Sequence, residues 1–203
     1  MNKWDERYRR EEYVYGREPN EFLVQVQPQI PMGRILCLGE GEGRNAVFLA
    51  EKGYDVTAVD LSRVGLDKAE RLAAERSVKI RTLVADLKDF VIEPRAWQGI
   101  VSIFCHLEPQ LRRRVLRACI EGLIDGGAFV LEAFTPDQLR YGTGGPKTLD
   151  LLYTLADLRI DLSGLDLCIG RETVCRRVEG IGHTGDAAVV QVLAFKNRSF
   201  AAR

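Results

Sequence analysis

Histidine is scarce in this sequence. His106 and His183 are the only two among 203 residues, and neither has a second histidine three or four positions away. That shortage excludes the paired-histidine metal sites of helices, so no metal is expected. Five cysteines (Cys37, Cys105, Cys119, Cys168 and Cys175) are scattered, odd in number and without a C-x-x-C pair. This suits reduced thiols in a cytoplasmic protein better than a disulfide framework. No apolar run approaches the roughly 20 residues of a membrane span, and the polar start MNKWDERYRREEYVYG lacks the apolar stretch of a secretory signal. The expectation is a cytoplasmic protein with no membrane partner. An excess of either charge is also missing, since 29 Lys plus Arg balance 29 Asp plus Glu; without a basic field, no nucleic-acid partner is expected. Neither repeats nor an interdomain linker interrupt the chain. A hydrophobic content of 46% supplies one sizeable core, so residues 1–203 are expected to form a single domain.

What is present is alternation. The apolar run ILCL leads into a glycine turn, GEGEG, and then into RNAVFLAEKG, whose apolar residues recur with helical spacing. YDVTAVD reads as a second strand, LSRVGLDKAERLAAERS as an amphipathic helix and VKIRTLVADL as a third strand. GIVSIFCHL is the continuous apolar run of a parallel strand covered on both faces. PQLRRRVLRACIEGLI is a helix with Pro109 in its first turn, its RRR at 112–114 a solvated face; DGG is a turn and AFVLEAF a fifth strand. Strands alternating with helices imply a doubly wound parallel sheet. DLCIGRETVCRRVEG and AAVVQVLAFK break the rhythm as two strands joined by IGHTGD, an antiparallel hairpin at the sheet's end. His183 is expected to lie exposed in that turn.

The glycine turn sets the ligand question. Gly39, Gly41 and Gly43 give G-x-G-x-G, and Arg44 stands where a dinucleotide fingerprint has its third glycine. Glu40 and Glu42 would sit beside a pyrophosphate and repel it by roughly 1 kcal/mol or more even at high effective dielectric. A ligand carrying positive charge and no phosphate fits better, and S-adenosylmethionine (SAM) is one. Asp60, at the end of the second strand, is placed to accept from both ribose hydroxyls, a feature that serves NAD equally well. Asp86 and Leu87, after the third strand, are placed to meet adenine through a carboxylate and a backbone N–H.

ILCLGEGEGRNAVFLA, VTAVDLS, VADLKDF and IVSIFCHL, with the opening WDERYRREEYVYGREPNEFL, together resemble the class I SAM-dependent methyltransferases. Within them the chain is similar to the small-molecule group of tellurite-resistance and thiopurine methyltransferases. The resemblance covers essentially the whole chain. It implies a Rossmann-like α/β fold, a doubly wound seven-stranded sheet in the order 3-2-1-4-5-7-6, strand 7 antiparallel, with helices on both faces. It implies SAM as cofactor and S-adenosylhomocysteine as product, an amino-terminal helical lid over residues 1–30, and a core over 33–203. The cofactor would be held by Gly39, Glu40, Gly41, Gly43, Asn45, Asp60, Leu61, Asp86, Leu87, Phe104 and Cys105. The family usually has an acid where Cys37 stands and often a cysteine or alanine where Glu40 stands, so the acidic role near the SAM ammonium group is expected at Glu40.

Methyl transfer from a sulfonium is an in-line displacement, and holding acceptor and methyl together without water supplies most of the catalysis. A thiolate or selenide needs no base; an oxygen or amine acceptor does. His106, following the fourth strand, is the candidate base. Trp4, Tyr8, Tyr13, Tyr15, Arg140 and Tyr141 are the candidates for the lid and for substrate contact, the aromatics through cation–π contact with the sulfonium. The expected activity is methyl transfer to a small-molecule acceptor, thiol, selenium and tellurium species among them, by a monomer or dimer. The alternatives are a SAM-binding protein without transfer activity and an NAD-linked oxidoreductase.

Overall fold

The computed structural model describes residues 2–197. Its seven strands are β1 (Arg34–Leu38), β2 (Asp55–Asp60), β3 (Arg81–Val84), β4 (Trp97–Ile103), β5 (Leu123–Phe134), β6 (Leu165–Glu179) and β7 (His183–Lys196). They form one sheet in the order β3-β2-β1-β4-β5-β7-β6. The first five are mutually parallel, and β7 runs antiparallel to both β5 and β6. The topology is the expected one.

The helices are α1 (Lys3–Tyr8), α2 (Glu21–Val26), α3 (Arg44–Glu51), α4 (Arg63–Glu75), α5 (Pro109–Gly122) and α6 (Leu155–Asp161). Alternation along β1 explains how they cover both faces, because successive side chains of a strand point to opposite sides. Ile35 and Cys37 join Phe22, Leu23 and Val26 of α2 and Leu49 of α3. Leu36 and Leu38 join Val115 and Leu116 of α5 and Leu158 of α6. Pro109 takes the first position of α5, where a missing N–H costs nothing.

Four local expectations are corrected. α6 was not anticipated; it is only seven residues long and is nucleated by Thr154, whose hydroxyl accepts from Asp157 N at 3.1 Å. DGG is no free turn: β5 begins at Leu123 and absorbs it as an irregularity in register between Trp97 and Gly99. The β6–β7 turn is only residues 180–182, so HTGD belongs to β7 and pairs with β6, Thr184 opposite Val178 and Gly185 opposite Arg177. Arg112 is not solvated. It is 5% exposed, bonds Asp161 at 2.9 Å through Nε and lies 4.9 Å over the Tyr153 ring.

Candidate functional site

The carboxyl ends of β1 and β2 meet at a glycine turn whose geometry only glycine permits. Gly39 and Gly41 have φ of 61° and 63°, and a Cβ on either would collide with Cys105 Sγ or Tyr8 Oη. Gly43, at φ 91°, clears space for Ala69 of α4 and therefore serves packing. Asp60 fixes the turn from β2: Oδ2 accepts from Gly41 N and Oδ1 from Ser62 N, both at 2.8 Å. Burial holds its carboxyl above the usual carboxylate range in spite of those donors. Hydroxyl donors from a ligand would stabilise the ionised form.

The two glutamates of the turn behave differently from each other. Glu40 Oε1 accepts from Asn45 N (2.9 Å) and Ala46 N (2.8 Å) in the first turn of α3. Burial pushes its carboxyl up to about 7 against the pull of these bonds. Glu42 points away from the turn. Its carboxylate pairs with Lys68 and accepts from Val14 N at 2.8 Å. The expected repulsion from Glu42 is therefore absent, because Lys68 neutralises it. What disfavours a phosphate is that Arg44 and Lys68 are already engaged by Glu179 and Glu42. Asn45, expected at the cofactor, has its side-chain oxygen on Asn20 N at 2.9 Å.

The amino-terminal segment is strapped across this turn. Lys68 also donates to the carbonyls of Arg10 (3.0 Å) and Glu12 (2.7 Å), and Ser62 Oγ donates to Asp5 Oδ1 at 2.7 Å. Trp4 stacks on Tyr8 at 5.8 Å, and Tyr8 is buried against Gly41. Tyr15 lies 4.6 Å from the His183 ring. Tyr13 is apart from them: it packs beside Leu72, Ala73 and Val47, and its hydroxyl donates to Lys68 O. Leu61 is exposed, with its carbonyl accepting from Asn2. Asp86 caps its own turn through Lys88 N at 2.9 Å, and Leu87 packs against the core.

Beyond β4 and β5 the site becomes aromatic. Phe104, in the left-handed region at φ 52°, holds its ring 4.5 Å from Phe134 and 4.6 Å from His183. Cys105 lies beside it, its thiol pushed up to about 12 by burial and therefore no nucleophile at neutral pH. His106 Nδ1 meets Leu151 O at 2.6 Å and is the protonated nitrogen. Burial drives its pKa down to about 4. Gln138 pins the 136–145 loop by accepting from Ala188 N (2.8 Å) and donating to Thr143 Oγ1 (2.9 Å). Arg140 and Tyr141 stand exposed on its outer side, Arg140 paired with Asp137.

His183 is the main correction. It is 6% exposed and starts β7. Its Nδ1 faces Glu179 Oε2 at 3.4 Å, and Phe134 packs edge-on at 5.0 Å. Glu179 is held by Arg44 at 3.0 Å and lies 3.5 Å from Arg177, and these cations and His183 hold its carboxyl down to about 2. Arg177 also pairs with Glu132, which accepts from Asn20 and Gln191. The sequence signal for this cluster was faint. It lay in the two glycines of EGIGH, which make a turn tight enough for Glu179 and His183 to be register partners.

Comparison with known proteins finds methyltransferases. A family model described as a methyltransferase domain matches residues 35–127. That stretch runs from β1 into β5 and contains the glycine turn, Asp60 and Asp86. Over residues 35–127 the chain is similar to that methyltransferase domain. The chain is 25% identical over 130 residues to a 2-heptyl-1-hydroxyquinolin-4(1H)-one methyltransferase of Mycobacteroides abscessus, over 60% of this chain and 57% of that protein. It is 29% identical over 118 residues to a cypemycin N-terminal methyltransferase of a Streptomyces species, over 57% of this chain and 47% of the relative. The chain thus matches only about half the length of these curated relatives. Among solved structures, TehB from Haemophilus influenzae superposes with a TM-score of 0.72 at 20% identity, over 88% of this chain and 62% of TehB. A protein solved in work on converting a disulfide bond into a thioacetal group during echinomycin biosynthesis superposes with 0.78 at 17% identity, over 98% and 92%. Both likenesses concern the methyltransferase fold alone.

Proposed function

We propose that the protein is a SAM-dependent methyltransferase acting on a small-molecule acceptor. The observation that carries this reading is the cradle at the ends of β1 and β2: Gly39 and Gly41 in the left-handed region, closed by the buried carboxylate of Asp60. Its acidic side chains are acceptors and its neighbouring cations are paired elsewhere, which suits a cationic ligand with ribose hydroxyls. Asp60 and the Gly39–Gly41 backbone would hold the nucleoside portion, Glu40 the ammonium end, and Asp86 with Leu87 the adenine. When bound, SAM supplies an electrophilic methyl.

The chain's own residues position the acceptor and handle its proton. Phe104, Phe134 and Tyr15 give an apolar wall that excludes water and favours a flat or apolar acceptor. His183 is the better proton acceptor of the two histidines. Its Nδ1–H is oriented toward Glu179, which leaves Nε2 with the free lone pair. Burial lowers the pKa of His183, but Glu179 opposes that shift. His106, its pKa lowered to about 4 by burial, is a poor base and serves as wall. This arrangement favours an acceptor that must lose a proton, such as a ring hydroxyl. A hydroxyquinolinone, the substrate named for the Mycobacteroides relative, is of that kind; thiol, selenium and tellurium acceptors have less use for the dyad. The test is S-adenosylhomocysteine release from SAM across a panel of phenolic, heteroaromatic hydroxy and thiol acceptors. Turnover on hydroxylated rings that falls with His183→Gln is expected; turnover on thiols alone, indifferent to that substitution, would reject this assignment.

A further inference from the structure

A second pocket lies outside the cradle, between α2 and the inward face of the edge strand β6. It encloses about 330 Å³ and is lined by Glu21, Gln25, Arg171, Thr173, Arg177 and Gln191 among others. Its chemistry is unusual for a surface cleft. Arg177 is 2% exposed, yet its Nε and Nη1 have no hydrogen-bond partner among the described residues. Buried donors left in that state are rare in folded proteins, and a bound group that satisfies them is a common reason for their survival. Arg171, on the same strand face, donates to the amide oxygens of Gln191 (2.9 Å) and Gln25 (3.4 Å). Neither partner is charged.

One carboxylate already marks the position. Glu21 Oε2 stands 3.6 Å from Arg177 Nη1, too far for a hydrogen bond, on a side chain that is 74% exposed and free to swing out. We infer that this pocket is a binding site for a small oxyanion, a carboxylate or phosphate group, held by Arg177 and Arg171 with Glu21 as its displaceable stand-in. The deeper charges balance without it, Arg44 and Arg177 against Glu132 and Glu179. Displacing Glu21 would leave the mouth with the positive charge of Arg171, which an incoming anion neutralises through charge-assisted bonds. The inference is independent of methyl transfer, since it concerns the α2 side of β6 and needs no cofactor.

The test is calorimetric titration of the intact protein, at low ionic strength and without SAM, using inorganic phosphate in one arm and succinate in the other. Saturable one-to-one binding is expected, weakened about tenfold by Arg171→Gln and tightened by Glu21→Gln. Both substitutions are at exposed side chains, so the fold is retained. Tighter binding of phosphate assigns the site to phosphate monoesters, and tighter succinate assigns it to carboxylates. Heats that do not saturate, or saturable binding that neither substitution changes, would overturn the proposal.

Discussion

On the β1–β2 side of the site, position is set by backbone: two left-handed glycines, one carboxylate accepting two N–H groups, and a helix start at Arg44. On the β5–β7 side it is set by polar side chains removed from water, the charged Glu132, Arg177, Glu179 and Arg44 together with a neutral His183, each less than a tenth exposed. The contrast fits the roles proposed for the two sides. A cradle for a fixed cofactor can be built from local chain geometry, which varies little. A wall that orients an acceptor and a basic nitrogen has to hold a side chain in one rotamer, and a satisfied polar network does that at the cost of desolvating its charges.

Unbalancing the charged side should perturb the protein most. Arg177→Met leaves Glu132 and Glu179 short of a cation and should cost about 3–5 kcal/mol of stability, measured by urea unfolding. A loss below about 1 kcal/mol would mean that the network is solvated and contributes little. His183→Gln should next lower turnover by about 100-fold or more while SAM affinity stays within about twofold, since the dyad belongs to the acceptor side. A matching loss of SAM affinity would erase the division between the two sides. Asp60→Ala should weaken SAM by about 1–3 kcal/mol and leave the charged side intact.

A smaller effect is pH dependence. His106 is held at about 4 in the fold against an ordinary 6.5, so the unfolded chain binds the extra proton first as pH falls. Stability from His106 is therefore complete above about 6.5 and declines toward pH 4, with the buried His183 acting in the same direction. Glu40 works oppositely, because its raised carboxyl removes stability as pH rises from 4.5 toward 7. His106→Asn should flatten the acid limb of the stability curve; an unchanged limb would show that His106 is solvated.

The same contrast explains what the sequence made legible. Gly41 and Asp60 are 19 positions apart, in one strand-helix-strand unit with a recognisable spacing. The sheet order and the glycine turn follow from patterns of that length. Asn20 and Glu132 are separated by 112 positions, and Asn20 and Glu179 by 159. No local pattern reports such contacts. His183 was misread for a related reason: a glycine-rich tip suggests exposure, yet here the tip folds back so that Gly182 N donates to Val14 O at 2.9 Å and the amino-terminal strap covers it. Arg112 was misread because burial of the first arginine of the run depends on Asp161, in a helix too short to announce itself. Glu42 was read as repelling a pyrophosphate because its partner, Lys68, lies a helix away.

The Gly39–Asp60 cradle is proposed to take SAM and not a dinucleotide. Calorimetric titration of the protein with SAM, with S-adenosylhomocysteine and with NADH tests it directly. Binding of the first two with one-to-one stoichiometry, and none of NADH at the same concentrations, is the predicted result; binding of NADH, or of none of the three, would contradict it.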